Sequence, residues 1–176
     1  MIKKSTGLIL VILLISTLTM IFGCSETEEV TLEGSYESPY LTMDYPGDWT
    51  VQDENLEIIQ ITNFISPSEE KMIGISMSPI SGGLTEEDIY RMWEEEIEEE
   101  QARGDFLFHE EREIEGKTAH VVHFNSLPGE TTYRVLTVHE DYIFSMDARI
   151  PTDDFDDFKR IPDAMVNSIS FHERTN

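Results

Sequence analysis

Five histidines, one cysteine and dense runs of acid are the residues of this 176-residue chain that could do chemistry. His120 and His123 stand three apart in a strand-like stretch, and an odd spacing sends them to opposite faces, so they cannot share one ion there. His109 shares a strand face with Glu111 and Glu113, and His139 stands at a hairpin tip beside Glu140 and Asp141. A soft-metal site needs three or four converging nitrogen or sulfur donors. None of these spacings supplies them, so all four histidines read as exposed strand and turn residues. Among Glu94 to Glu96 and Glu98 to Glu100, acids three or four apart share a helix face. A helix cannot wrap Ca²⁺ in the 6–8 oxygens that a loop provides, which leaves weak divalent-cation binding at most. Asp153-Asp154-Phe155-Asp156-Asp157 lacks the glycine and closing glutamate of a calcium loop and reads as a helix start. No G-x-S-x-G, phosphate loop, H-E-x-x-H or paired C-x-x-C occurs. The sequence therefore assigns no catalytic, metal-binding or cofactor-binding residue, and a non-enzymatic protein is expected.

Cys24 is the only cysteine, so a disulfide within the chain is excluded. Lys3 and Lys4 precede an uncharged run, Gly7 to Phe22, that is short for a spanning helix of roughly 20 apolar residues. A basic start, an apolar run and a small residue describe a secretory signal. Ile21-Phe22-Gly23-Cys24 resembles the lipobox of prokaryotic lipoproteins. That resemblance implies a diacylglycerol on the Cys24 sulfur and cleavage before it. Two or three acyl chains hold a protein firmly, at about 0.8 kcal/mol per buried methylene. The alternative is an uncleaved anchor helix with an incidental cysteine. Residues 1–23 are thus expected to be a signal peptide, and 24–34 an acidic tether with an r.m.s. reach of roughly 15–20 Å. The protein is expected on the extracytoplasmic face of the cell membrane, lipid-anchored through Cys24.

The part from Cys24 onward holds all 36 acids and 10 of the 12 lysines and arginines, a formal net charge of −26. Nucleic acid and anionic headgroups are poor partners for such a surface. The acid is spread along the chain, as on a solvated surface suited to salty surroundings.

The elements that must position these residues follow from periodicity. Tyr40 to Tyr45 alternates as a half-buried strand, and Pro46-Gly47-Asp48 turns into a strand opened by Trp49 and Val51. Residues 56 to 65 and Met72 to Met77 suit further strands, with a loop over Pro79 to Gly83. Thr85-Glu86-Glu87-Asp88 resembles a capping box for a helix reaching about Ala102, with Ile89, Met92, Trp93 and Ile97 as its apolar stripe. Gly104 stops it. Four strands follow: Phe106 to Ile114, Thr118 to Phe124, Thr131 to Val138 and Tyr142 to Ile150. Asp153 or Asp154 can cap a last helix bearing Phe155, Phe158 and Ile161, broken or kinked at Pro162. Consecutive strands with short turns pair antiparallel. One α+β domain over residues 35–172 is expected, with an antiparallel sheet of about six strands sandwiched by helices.

Tyr45-Pro46 with Trp49 after an alternating strand, Gly116 with Thr118-Ala119, and a closing Ser168-Ile169-Ser170-Phe171 occur in that order. In order and spacing they resemble the PsbP family, across roughly Tyr36 to Phe171. The resemblance implies an α-β-α sandwich around an antiparallel sheet. Its members include a photosystem II extrinsic protein, cyanobacterial lipoproteins and a Ran-GTPase-binding protein, which act mostly as accessory or binding proteins. It thus implies a membrane-anchored accessory that binds or helps assemble a membrane-proximal complex through a protein partner. The competing expectation is a lipoprotein that binds divalent cations or a small solute, and a third is a hydrolase with a pocket of converging His and carboxylate groups.

Overall fold

Tight turns dictate most of the architecture. Glu115 and Gly116 both take positive φ (49° and 77°), the geometry that lets a two-residue hairpin follow the strand twist. Pro128-Gly129 and Glu140-Asp141 make the next two reversals, with positive φ at Gly129 and Glu140. The computed structural model describes residues 30–173. In chain order it contains β1 (Gly34–Glu37), β2 (Leu41–Tyr45), β3 (Thr50–Leu56), β4 (Ile59–Ile65), β5 (Met72–Pro79) and α1 (Glu86–Arg103). Then come β6 (Phe106–Ile114), β7 (Lys117–Leu127), β8 (Glu130–His139) and β9 (Tyr142–Pro151). A 3-10 turn (Thr152–Asp154), α2 (Phe155–Phe158), α3 (Arg160–Asn167) and β10 (Ser170–Phe171) close the chain. Cys24, the expected signal peptide over 1–23 and most of the expected tether lie outside the described residues.

The main sheet has seven antiparallel strands, ordered β3-β4-β5-β9-β8-β7-β6, and a second sheet has three, ordered β1-β2-β10. The seven-stranded sheet agrees roughly with the expected antiparallel sheet of about six strands, and the separate three-stranded sheet was not expected. Tyr40 to Tyr45 does not join the strand that follows it, β3, or any other strand of the main sheet. β2 pairs instead with β1 and with β10 from the end of the chain, Phe171 opposite Leu41. The run 56–65 is also not one strand. Its apolar phase slips between Ile58 and Ile59, and the chain turns there, so that Leu56 faces Ile59 across a hairpin.

One face of the main sheet carries Phe64, Ile73, Ile75, Val121, Tyr133, Val135, Phe144 and Met146, all buried. The small sheet and the C-terminal helices cover it with Leu41, Met43, Phe158, Met165 and Val166. α1 covers the β8 side of the other face, where Ile89 and Trp93 pack on Leu136 and Val138. Helices thus lie on both sides of the sheet. Thr85 Oγ1 accepts the Asp88 N–H while the Asp88 carboxylate accepts the Thr85 N–H, the expected capping box. Gly104 ends the helix in the left-handed region. Met92 leaves the expected apolar stripe and is exposed, because the helix turns Ile89, Tyr90, Trp93 and Ile97 toward the sheet.

The last helix breaks at Lys159, not at Pro162. Pro162 sits in the first turn of α3, where a missing N–H costs little. Neither Asp153 nor Asp154 makes a side-chain cap.

Candidate binding surface

The register gives the domain two ends. Gly34, Tyr45, Thr50, Met72 and Pro151 mark the end at which the described chain enters. Glu37, Leu56, Pro79, His139 and Tyr142 mark the opposite, distal end. β9 has ten residues, so the two ends stand roughly 30 Å apart.

Three clefts gather at the distal end and share Tyr142. Its ring meets Tyr40 at 4.7 Å between centroids, making an aromatic ridge between them. The first cleft, of about 600 Å³, lies between the end of β1 and the β3–β4 hairpin. Its floor is a hydrogen-bonded cluster: Tyr36 Oη donates to Asp53 Oδ1 (3.0 Å), Thr62 Oγ1 donates to the same oxygen (2.7 Å), and Gln60 Nε2 donates to the Tyr36 oxygen (2.7 Å). Burial raises the Tyr36 phenol above its ordinary pKa, and Asp53 adds to this while the Thr62 bond opposes it. Leu56 and Ile58, at 54% and 69% exposure, form its outer lip.

The second cleft, of about 230 Å³, holds His139 and His172. His172 Nε2 bonds Thr42 Oγ1 at 2.8 Å. His139 is half-buried, stacked at 4.6 Å on Phe171, and neither of its ring nitrogens has a protein hydrogen-bond partner among the described residues. This corrects the expected exposed turn: β10 and the small sheet close over the hairpin that carries His139. The third cleft, of about 500 Å³, runs from Pro79 to the start of α1. Seven carboxylates line the three clefts (Glu37, Asp53, Glu57, Glu86, Glu140, Asp141 and Glu173) and no lysine or arginine does. A fourth, shallower groove of about 690 Å³ lies at the entry end, around Leu127 to Glu130's turn and Asp153.

The remaining histidines fall elsewhere. His120 and His123 take opposite faces of β7 as their spacing requires, yet both are buried rather than exposed, because β7 is covered on both sides. His120 lies under α1 against Tyr90 and Trp93, and His109 Nε2 meets its Nδ1 at 3.0 Å. Burial, then the neighbouring His109, hold the His120 pKa below its ordinary value, while Glu111 and Glu94 pull it up. His123 sits among the rings of Phe108, Tyr133 and Phe155. Beside it Tyr133 Oη donates to Asp163 Oδ1 (2.8 Å), and Arg112 donates to Asp163 (3.1 Å) and to Glu110. This network ties α3 to β6 and β8 inside the packed face, and no sequence motif announced it. The acids of α1 and of 153–157 are mostly exposed. Among the described residues, no three His, Cys, Asp or Glu side chains gather in a geometry that could hold a metal ion.

No family model matches the chain, and no curated protein matches it by sequence. Solved structures do match its fold. The solution structure of cyanobacterial PsbP (CyanoP) from Synechocystis sp. PCC 6803 covers 86% of this chain and 99% of its own, with a TM-score of 0.58 at 15% identity. The fold is PsbP-like. A crystal structure from Bacteroides thetaiotaomicron VPI-5482 covers 82% of this chain at TM-score 0.52 and 15% identity, and this chain spans about half (50%) of that longer one. Within the PsbP-like frame the Tyr40–Tyr142 ridge joins the small sheet to the main one, so the clefts lie at the junction of its two sheets.

Proposed function

We propose that this protein is an extracytoplasmic lipoprotein, held in the cell membrane by acyl chains on Cys24. Its PsbP-like domain then acts as a non-enzymatic binding or assembly accessory of a membrane-proximal complex. The observation that carries the reading is the position of the clefts. Chain entry and the three-cleft surface lie at opposite ends of the strands. An anchor at Cys24 turns the entry end toward the membrane and presents the Tyr40–Tyr142 ridge outward, within tether reach of a neighbouring complex. Paired aromatics at a rim of polar groups are the usual anchors of a protein interface.

The test has two parts. In cells given labelled fatty acid, the parent chain should take up the label and Cys24→Ala should not. Capture from detergent-solubilised membranes should return a reproducible partner that the Tyr40→Ala/Tyr142→Ala variant loses. A parent chain that takes up no label, or a variant labelled equally, sinks the anchor, and capture indifferent to both tyrosines sinks the surface.

A second reading rests on the cleft of His139 and His172: a small solute, or a divalent cation held only weakly because the two imidazoles and Glu173 do not converge on one point. Calorimetry with Zn²⁺, Mn²⁺ and Ca²⁺ in molar KCl decides it. Saturable heat lost in His139→Ala/His172→Ala supports the reading, and heat without saturation rejects it.

A further inference from the structure

We infer that the outer edge of β3 takes an extended, cationic segment of a partner protein as an added strand. This deepens the binding-accessory reading and rests on it. β3 ends the seven-stranded sheet, and among the described residues nothing pairs with its outer side. Proteins blunt such edges with bulges, proline, lysine or a covering element. The opposite edge follows that rule: β6 has a register shift between Phe106 and Phe108, and α1 packs beside it. β3 has no bulge, proline, lysine or covering element, and its only guard is the negative charge of Asp53 and Glu54. Its seven residues, T-V-Q-D-E-N-L, keep unbroken register with β4 from Thr50 to Leu56, and six of the seven are exposed. An exposed regular edge is a template for a further strand, whose main-chain hydrogen bonds give affinity and whose alternate side chains give specificity.

Charge selects the occupant. Asp53 points toward the first cleft, where Glu37 and Glu57 also lie, and Glu54 points to the opposite face. A second copy of this strand would set Asp53 and Glu54 against their own kind, and like charges across a strand pair are destabilising. A strand with lysine or arginine on the Asp53 face meets the carboxylates of Asp53, Glu37 and Glu57 there and finds no competing cation in the cleft lining. Apolar surface is ready beside it. Ile59, Ile61 and Ile65 of β4 are half-buried on the part of the sheet that α1 does not reach, and Leu56 is exposed at the end of β3 itself. The segment that fits alternates cationic and β-branched residues over about seven positions.

The full chain in phosphatidylcholine nanodiscs at low salt is titrated with an acetylated octapeptide alternating Lys and Val. A second peptide of equal charge carries Pro in place of two internal Val. The expected result is saturable binding of the first peptide, with new amide-exchange protection confined to residues 50–56. Binding of the proline peptide is weaker by about tenfold or more, since it cannot complete the ladder. Glu37→Lys/Glu57→Lys should weaken the strand peptide by about tenfold, whereas Glu98→Lys/Glu99→Lys, the same charge change on α1, should leave it within about twofold. Equal binding of both peptides, equal effects of both charge pairs, or protection elsewhere overturns the inference. So does concentration-dependent dimerisation that protects residues 50–56 without peptide. No binding at all also overturns it. A partner captured through Tyr40 and Tyr142 would in that case leave the broader reading standing, and loss of that capture would remove it independently.

Discussion

At the residue scale the informative side chain is His123. It is 8% exposed, ringed by Phe108, Tyr133 and Phe155, and its Nε2 has no protein partner among the described residues. Burial pushes its pKa down to about 4, with Asp163 opposing and Lys159 assisting. An unfolded chain titrates this imidazole near 6.5. Between those values the unfolded state binds the extra proton, so the stability owed to the neutral ring is complete above about pH 6.5 and is lost as pH falls toward 4. In thermal melts from pH 7.5 to 4, His123→Phe should therefore lose melting temperature less steeply than the parent. Equal slopes would clear His123 as the source. Its neighbour makes a second prediction. Asp163→Ala leaves the fully buried Tyr133 hydroxyl unpaired and should cost about 2 kcal/mol in denaturant unfolding. The cost should shrink in a Tyr133→Phe background, where no hydroxyl remains to strand. The opposite facing of His120 and His123 was legible in their spacing. Their burial was not, because nothing local says that β7 lies inside the sheet with α1 above it. Tyr40 and Tyr142 were likewise readable as strand residues, but a contact across some hundred positions has no local signature.

At the element scale α1 is the test piece. Its capping box was written in Thr85 and Asp88, and its stop in Gly104, since both depend only on neighbours in the chain. Hairpins at Glu115-Gly116 and around Pro128-Gly129 were legible for the same reason. The β3–β4 turn was missed although Ile58-Ile59 breaks the alternation, because no Gly or Pro marks it. β2 was assigned to the wrong sheet because its partner β10 lies at the far end of the sequence. The first failure is local and the second is one of long-range pairing. The helix itself crowds Glu94 to Glu100 toward its C-terminal half, with Arg103 as the one base of its last turn. Carboxylates there oppose the helix dipole and repel one another at i,i+3 and i,i+4. Glu98→Lys/Glu99→Lys should raise the melting temperature and slow amide exchange across 95–103. A lower melting temperature would mean that these glutamates make contacts that outweigh their repulsion.

At the scale of the whole molecule, 36 acids face 12 lysines and arginines, for a formal net charge of −24. Even complete pairing would leave most carboxylates without a cation. The ion pairs present involve Arg91, Arg103, Arg112, Arg134 and Lys159, most of them on partly exposed side chains. Exposed pairs contribute about 0–1 kcal/mol each, so screening them removes little. Screening the like-charge repulsion acts over the entire surface, as the Debye length falls from about 10 Å at 0.1 M to about 3 Å at 1 M. Relief of repulsion should win, and the melting temperature should rise by several degrees as KCl is taken from low concentration to molar. General salting-out would produce a rise too, but one independent of protein charge. The Glu98→Lys/Glu99→Lys variant separates the two, because its net charge is less negative by four. Its melting temperature should start higher and climb less with KCl. A parent curve that stays flat or falls, or a variant that climbs as steeply as the parent, would show that the acidic surface is not what limits stability at low salt.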